Sequence, residues 1–212
     1  PHARVCGIIR RILERVYGPS IMGSDASEGG IPLRIITGTS VCDGHDAAIG
    51  IMRRVMQAEG AEVIHLGHNR GSEEFAMAAI QEDAHAIAIT SYQGGAVGQF
   101  QHVRDVLDEH GYHDVSIVAG GGGTILPEEI RDLRDRGIAR VYTPDDGREM
   151  GLVGMVKDAI EYSYKVDLMD ESRFHFDGPV TAADHGSVGR LLTLAENGDE
   201  SALATALSNA RS

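Results

Sequence analysis

The 212-residue chain contains only two cysteines, Cys6 and Cys42. Two thiols cannot make the disulfide framework of a secreted scaffold, so the reading points to a reducing compartment, the cytoplasm. Long apolar runs are also missing. None approaches the roughly 18–20 residues that span a bilayer, and the opening residues do not read as a secretory signal, so no membrane partner is expected. Basic residues are scarce: 19 Lys and Arg against 32 Asp and Glu leave a net charge of −13. Phosphate backbones reward the opposite sign, so nucleic acid is not expected as a partner. No Gly-Lys dipeptide occurs, which removes a Walker A loop, and "TGTSVCDGHDAA" does not supply the G-x-G-x-x-G of a dinucleotide site.

Hydrophobic residues, at 42%, suffice for one ordinary core. From residue 33 onward, short β-branched runs alternate with helical stretches. The runs are "LRIITGT" (33–39), "AEVIHLG" (61–67), "HAIAITS" (85–91), "VSIVAG" (115–120) and "IARVYT" (138–143). Being almost continuously apolar, they read as strands covered on both faces. Helical segments fall near 46–59, 72–82, 97–110, 127–136 and 147–161, and Gly60, Gly111 and Gly137 stand where helix C-termini favour glycine. Five βα units predict an α/β fold with a doubly wound, five-stranded parallel sheet. The flavodoxin-like order 2-1-3-4-5 is expected, with ligands outside the carboxyl ends of the strands. Residues 31–164 form this domain. Residues 1–30 read as a helix with Val5, Ile8, Ile9, Ile12, Leu13 and Val16 on one face, followed by a linker. Residues 165–212 read as an irregular linker and two short helices around Asn197-Gly198. Their stripes (Val188, Leu191, Leu192, Leu194; Leu203, Leu207) are too thin for a separate core.

The chemistry gathers at the strand ends. "VCDGHDAAIG" (41–50) puts Asp43 and His45 two residues apart in the turn after strand 1. Strand 3 runs into "SYQGG" (91–95), and strand 4 into four glycines, Gly120 to Gly123. All three loops open on one edge, and glycines there let a large ligand approach the backbone. A Cys42–His45 nucleophile pair lacks an arguable oxyanion site. A zinc site would need further ligands, for which His65 and His68 are candidates, although they read equally as polar loop histidines. A single histidine oriented by a carboxylate suffices when a macrocycle supplies the other coordination positions.

On these residues the chain resembles cobalamin-binding domains. "DGHDAA" is similar to the Asp-x-His-x-x-Gly signature, with Ala48 in place of the last glycine. Ser91 ends strand 3 as in that family, with Tyr92-Gln93 in place of the usual Ser-x-Leu ending, and Gly120 to Gly123 supply the turn after strand 4. Among these domains, those of radical acyl-CoA mutases, and of the fused isobutyryl-CoA mutase type, match best in "GAEVIHLGHNR", "AIQEDAHAIAITSYQGG" and "GGGGTILPEEI". The resemblance implies adenosylcobalamin as cofactor, with His45 as lower axial ligand of cobalt and Asp43 holding its other nitrogen. It implies that the displaced nucleotide tail runs between strands 1 and 3, with Ser91 on its base. The cofactor-binding set is then Asp43, Gly44, His45, Asp46, Ser91, Tyr92, Gly94, Gly95, Gly120, Gly121 and Gly122. The function implied is carbon-skeleton isomerisation, such as isobutyryl-CoA/n-butyryl-CoA or methylmalonyl-CoA/succinyl-CoA, by an isomerase of which this chain is one part, inactive alone. The implied partners are a substrate-binding TIM barrel and a GTPase chaperone domain; neither is read in these residues. Two alternatives stay open: a corrinoid carrier for methyl transfer, and a non-enzymatic sensor or receiver-like module. A receiver would carry a phosphorylatable Asp and a Lys where Ser91 and Thr143 stand.

Overall fold

The computed structural model describes residues 31–43, 46–121, 123, 125–174, 176, 179–197 and 200–210. The helix and linker expected over 1–30 lie outside them. Among the described residues, β1 (Arg34–Ser40), β2 (Glu62–Arg70), β3 (Ala86–Thr90), β4 (Ser116–Gly120) and β5 (Arg140–Tyr142) form one sheet. They alternate with α1 (Asp46–Ala58), α2 (Ser72–Gln81), α3 (Ala96–Glu109), α4 (Pro127–Asp135) and α5 (Pro144–Ser163). All pairings are parallel and the order is β2-β1-β3-β4-β5, as expected. Gly60, Gly111 and Gly137 take left-handed φ values of 95°, 77° and 89°, which end their helices at little steric cost.

Two boundaries differ from the sequence expectation. Helix α5 begins at Pro144 rather than 147, because Thr143 caps it: the Thr143 hydroxyl accepts from the Asp146 amide at 3.3 Å, and the Asp146 carboxylate accepts from the Thr143 amide at 2.7 Å. The same helix is broken at Gly151, whose φ of 65° and ψ of 175° are not helical. Strand β2 runs three residues further than expected, to Arg70, and as an edge strand it is only half buried.

The alternation Ala86-Ile87-Ala88-Ile89 along β3 decides how the two faces pack. Ile87 and Ile89 join Phe75, Phe100, Leu107 and Leu133 under α2, α3 and α4. The opposite face presents only the methyls of Ala86 and Ala88 to α1 and α5, where Val55, Met56, Val156 and Ala159 pack. Small side chains there leave the sheet–helix interface underfilled near the carboxyl ends of β3 and β4.

The tail docks on the amino edge of the sheet. A 3₁₀ turn (Glu171–Phe174), α6 (His185–Asn197) and α7 (Glu200–Asn209) enclose a small cluster of Phe174, Leu194 and Ala206. Arg173, 6% exposed, reaches back to the fully buried Asp83 with an N···O distance of 2.6 Å, and its other arm pairs with Asp114. A Cβ at Gly189 would stand 2.6 Å from the Gln81 carbonyl oxygen, so α6 packs backbone to backbone on the end of α2.

At this junction His85 is buried, and its Nδ1 accepts the Arg34 amide N–H at 2.9 Å. Burial, then the charge of Arg34, push its pKa down to about 4; Asp83 opposes and Arg173 reinforces the shift. A depressed histidine favours the neutral folded form. Its stabilising effect is therefore whole above pH 6.5 and is lost as pH falls from 6.5 toward about 4, where the unfolded chain binds the proton first. Urea midpoints should fall across that window, by roughly 3 kcal/mol in unfolding free energy from this residue. His85→Gln, which retains an acceptor for the Arg34 amide, should flatten the slope.

Candidate cofactor-binding site

The loops after β1, β3 and β4 meet at the carboxyl edge, and the residues between them are held in detail. Asp43 is 1% exposed; its amide donates to the Ser40 carbonyl at 3.2 Å, and its Oδ2 accepts the Tyr92 amide N–H at 2.6 Å. The carboxylate after β1 is thus tied to the backbone after β3. Gly44, His45 and Gly122 lie outside the described residues, and Asp46 opens α1. Ala48, half buried, sits in the first turn of that helix.

Ser91 is fully buried, and its hydroxyl accepts from Ser40 Oγ at 2.6 Å and from the Gln93 amide at 3.3 Å. The Ser40–Ser91 pair fills the gap between the ends of β1 and β3. The open space lies one strand over. Thr90, Gly120, Met52, Met56, Met155 and Val156 are among the residues lining a half-open, narrow apolar crevice along β3 and β4, roofed by α1 and α5. Thr90 is 8% exposed, and its Oγ1 has no hydrogen-bond partner among the described residues. Sequence reasoning named Ser91 and did not single out Thr90, which is the one of the two that lines this crevice. The available signal was strand alternation, which sends adjacent residues to opposite faces.

One end of the crevice is fixed by Tyr142. Its hydroxyl donates to Asp158 at 3.0 Å, and burial together with that carboxylate raises its pKa, so the phenol stays protonated. Arg140 bridges Asp158 at 3.1 Å and Asp146 at 2.6 Å. These bonds secure the short strand β5 to α5.

The glycines divide into two kinds. Gly94 and Gly95 face open space, with nothing within 4 Å of a built Cβ. At Gly121 a Cβ would lie 2.7 Å from Ile125 Cδ1 and 2.8 Å from the Ser91 carbonyl oxygen, which cannot withdraw easily because the Ser91 amide is bonded to Gly120 O at 2.8 Å. Gly121→Ala should therefore destabilise the apo protein by about 1–3 kcal/mol. Gly94→Ala should leave the urea midpoint unchanged, and the two curves measured side by side check the contrast.

His65 Nδ1 lies 2.9 Å from Thr37 Oγ1, and among the described residues no group of three His, Cys, Asp or Glu is arranged to hold a metal ion. Cys42 is an exposed free thiol. No described helix is long and apolar enough to cross a membrane.

A parallel sheet that gathers a buried carboxylate, glycine turns and an apolar crevice at one edge is built to hold a large cofactor there. The chain belongs to the B12 binding domain family, whose profile matches residues 33–152. It is 48% identical over 166 residues to the fused isobutyryl-CoA mutase of Cupriavidus metallidurans strain CH34, spanning 78% of this chain and 15% of that protein. It is 30% identical over 115 residues to the 2-hydroxyisobutanoyl-CoA mutase small subunit of Aquincola tertiaricarbonis, 54% of this chain and 82% of that subunit. In fold it is similar to a cobalamin-binding protein from Desulfitobacterium hafniense DCB-2, with a TM-score of 0.51 and 19% identity over 62% of this chain and 59% of that one.

Proposed function

We propose that this chain is the cobalamin-binding part of a radical acyl-CoA mutase, binding adenosylcobalamin with its nucleotide tail displaced and His45 as lower axial ligand. The observation that carries the reading is the apolar crevice, which begins on the same edge as the Asp43 turn. A flat, apolar base fits such a lining, and three methionines repack readily around it. The orphaned Thr90 hydroxyl supports the same fit, since a buried hydroxyl without a partner is costly until a ligand supplies an acceptor. The Ser91 hydroxyl already accepts from Ser40 and Gln93 and is fully buried between β1 and β3, whereas Thr90 lines the crevice, so Thr90 is the readier donor. The open backbone at Gly94 and Gly95 would lie against the corrin.

Asp43 would hold the second ring nitrogen of His45, fixing the tautomer and raising the basicity of the ligating nitrogen. Adenosylcobalamin, when bound, supplies a cleavable cobalt–carbon bond and with it the radical chemistry. This chain would orient the cofactor from below. A substrate-binding barrel, either a separate subunit or the remainder of a longer protein, would cover the upper face, exclude water and bind the acyl-CoA. A GTP-binding chaperone domain would be a further partner in the same arrangement. The isomer pair acted on, isobutyryl-CoA/n-butyryl-CoA first, depends on that barrel.

The 212-residue chain alone should bind adenosylcobalamin, seen as a shift in its visible spectrum, yet turn over no acyl-CoA. Turnover should appear when a barrel subunit is added. Isomerisation by the isolated chain would contradict the proposal.

A further inference from the structure

The turn that carries Asp43 is held by side chains from two neighbouring loops. Cys42 has a φ of 61°, a left-handed conformation that is unfavourable for a residue with a Cβ. Both of its backbone polar groups are taken. Its amide donates to Asn69 Oδ1 at 2.8 Å, and its carbonyl accepts from Gln93 Nε2 at 3.0 Å. Asn69 is the penultimate residue of β2 and itself sits at a φ of 58°; Gln93 follows β3. The next residue, Asp43, is bonded through its carboxylate to the Tyr92 amide at 2.6 Å. Three strand ends therefore converge on two consecutive residues, Cys42 and Asp43, the second of them two positions before His45 in the sequence.

The geometry assigns Asn69 and Gln93 as positioning residues that clamp the Cys42 peptide from both sides, so that Asp43 is set before the cofactor arrives. This rests on the proposed cobalamin function. The bonds lie at the surface, where each alone adds little to global stability. Their effect belongs to the local order of the turn.

Asn69→Gly removes the acceptor without straining the backbone, because glycine tolerates the left-handed region. Asn69→Asp restores an acceptor and tolerates the same φ. Gln93→Leu removes the donor. In Asn69→Gly and Gln93→Leu, adenosylcobalamin binding should weaken about three- to tenfold. The double variant should fall short of the combined losses, because both side chains hold one peptide. The Cys42 amide should exchange faster with solvent in both, the nitrogen coupling in the EPR spectrum of bound cob(II)alamin should broaden, and urea midpoints should hardly move. Asn69→Asp should recover wild-type binding and exchange. Wild-type affinity and coupling in both deletions, or an Asn69→Asp protein as impaired as Asn69→Gly, would overturn the assignment. If the wild-type chain took up no cobalamin, the functional proposal would fall. The clamp would then be judged by exchange alone, and an unchanged Cys42 amide rate in Asn69→Gly would overturn it.

Discussion

Replacing His45 with glycine will abolish histidine coordination of bound cobalamin while leaving the apo fold intact. In the sequence the residue falls two positions after the buried Asp43 and one before the first residue of α1. Losing a partner one step removed from a metal costs roughly 10–100-fold in affinity, and losing the ligand itself should cost more. The expected result is an unchanged urea midpoint and an EPR spectrum of bound cob(II)alamin without protein nitrogen coupling. Free imidazole, the same donor without its tether, should restore part of that coupling. Wild-type coupling in the variant would remove His45 from the account.

The second large effect concerns the tail. Asp83 is fully buried, and its partner Arg173 comes from 90 residues further along the chain. Arg173→Leu leaves that carboxylate in the interior without its cation, which should cost about 3–5 kcal/mol. The double variant Asp83→Asn with Arg173→Leu removes the stranded charge and should recover much of the loss. Urea unfolding of the three proteins checks this. A loss below about 1 kcal/mol in the single variant would mean that the pair behaves like a solvated surface bridge. A loss of the expected size would make the segment around Arg173 part of the domain's fold.

That pair also marks where sequence reading ends. The strands, their order and the helix ends marked by Gly60, Gly111 and Gly137 were legible, because apolar runs and left-handed glycines are local signals. The start of α5 was placed three residues late, because the helical pattern was followed and the capping sequence Thr143-Pro144-Asp145-Asp146 was not used. A contact between Asp83 and Arg173 has no local signature. At the site, the loops were legible as a group because parallel strands deliver their carboxyl ends to one edge. The assignment of partners was not. Whether Ser91 or Thr90 faces the crevice depends on which face α1 and α5 cover, and Ser40 takes up the Ser91 hydroxyl from a strand 51 residues away. The bond from Gln93 to the Cys42 carbonyl was likewise not legible.

The most direct measurement is the EPR spectrum of cob(II)alamin bound to the wild-type chain, grown once with natural and once with ¹⁵N-labelled histidine. A nitrogen of spin one splits each cobalt line into three, and ¹⁵N, of spin one-half, splits it into two. The account predicts triplets that become doublets in the labelled protein, because the coordinating nitrogen belongs to a histidine of this chain. Triplets that persist in the labelled protein would show that the cofactor keeps its own base on cobalt and would contradict the central claim.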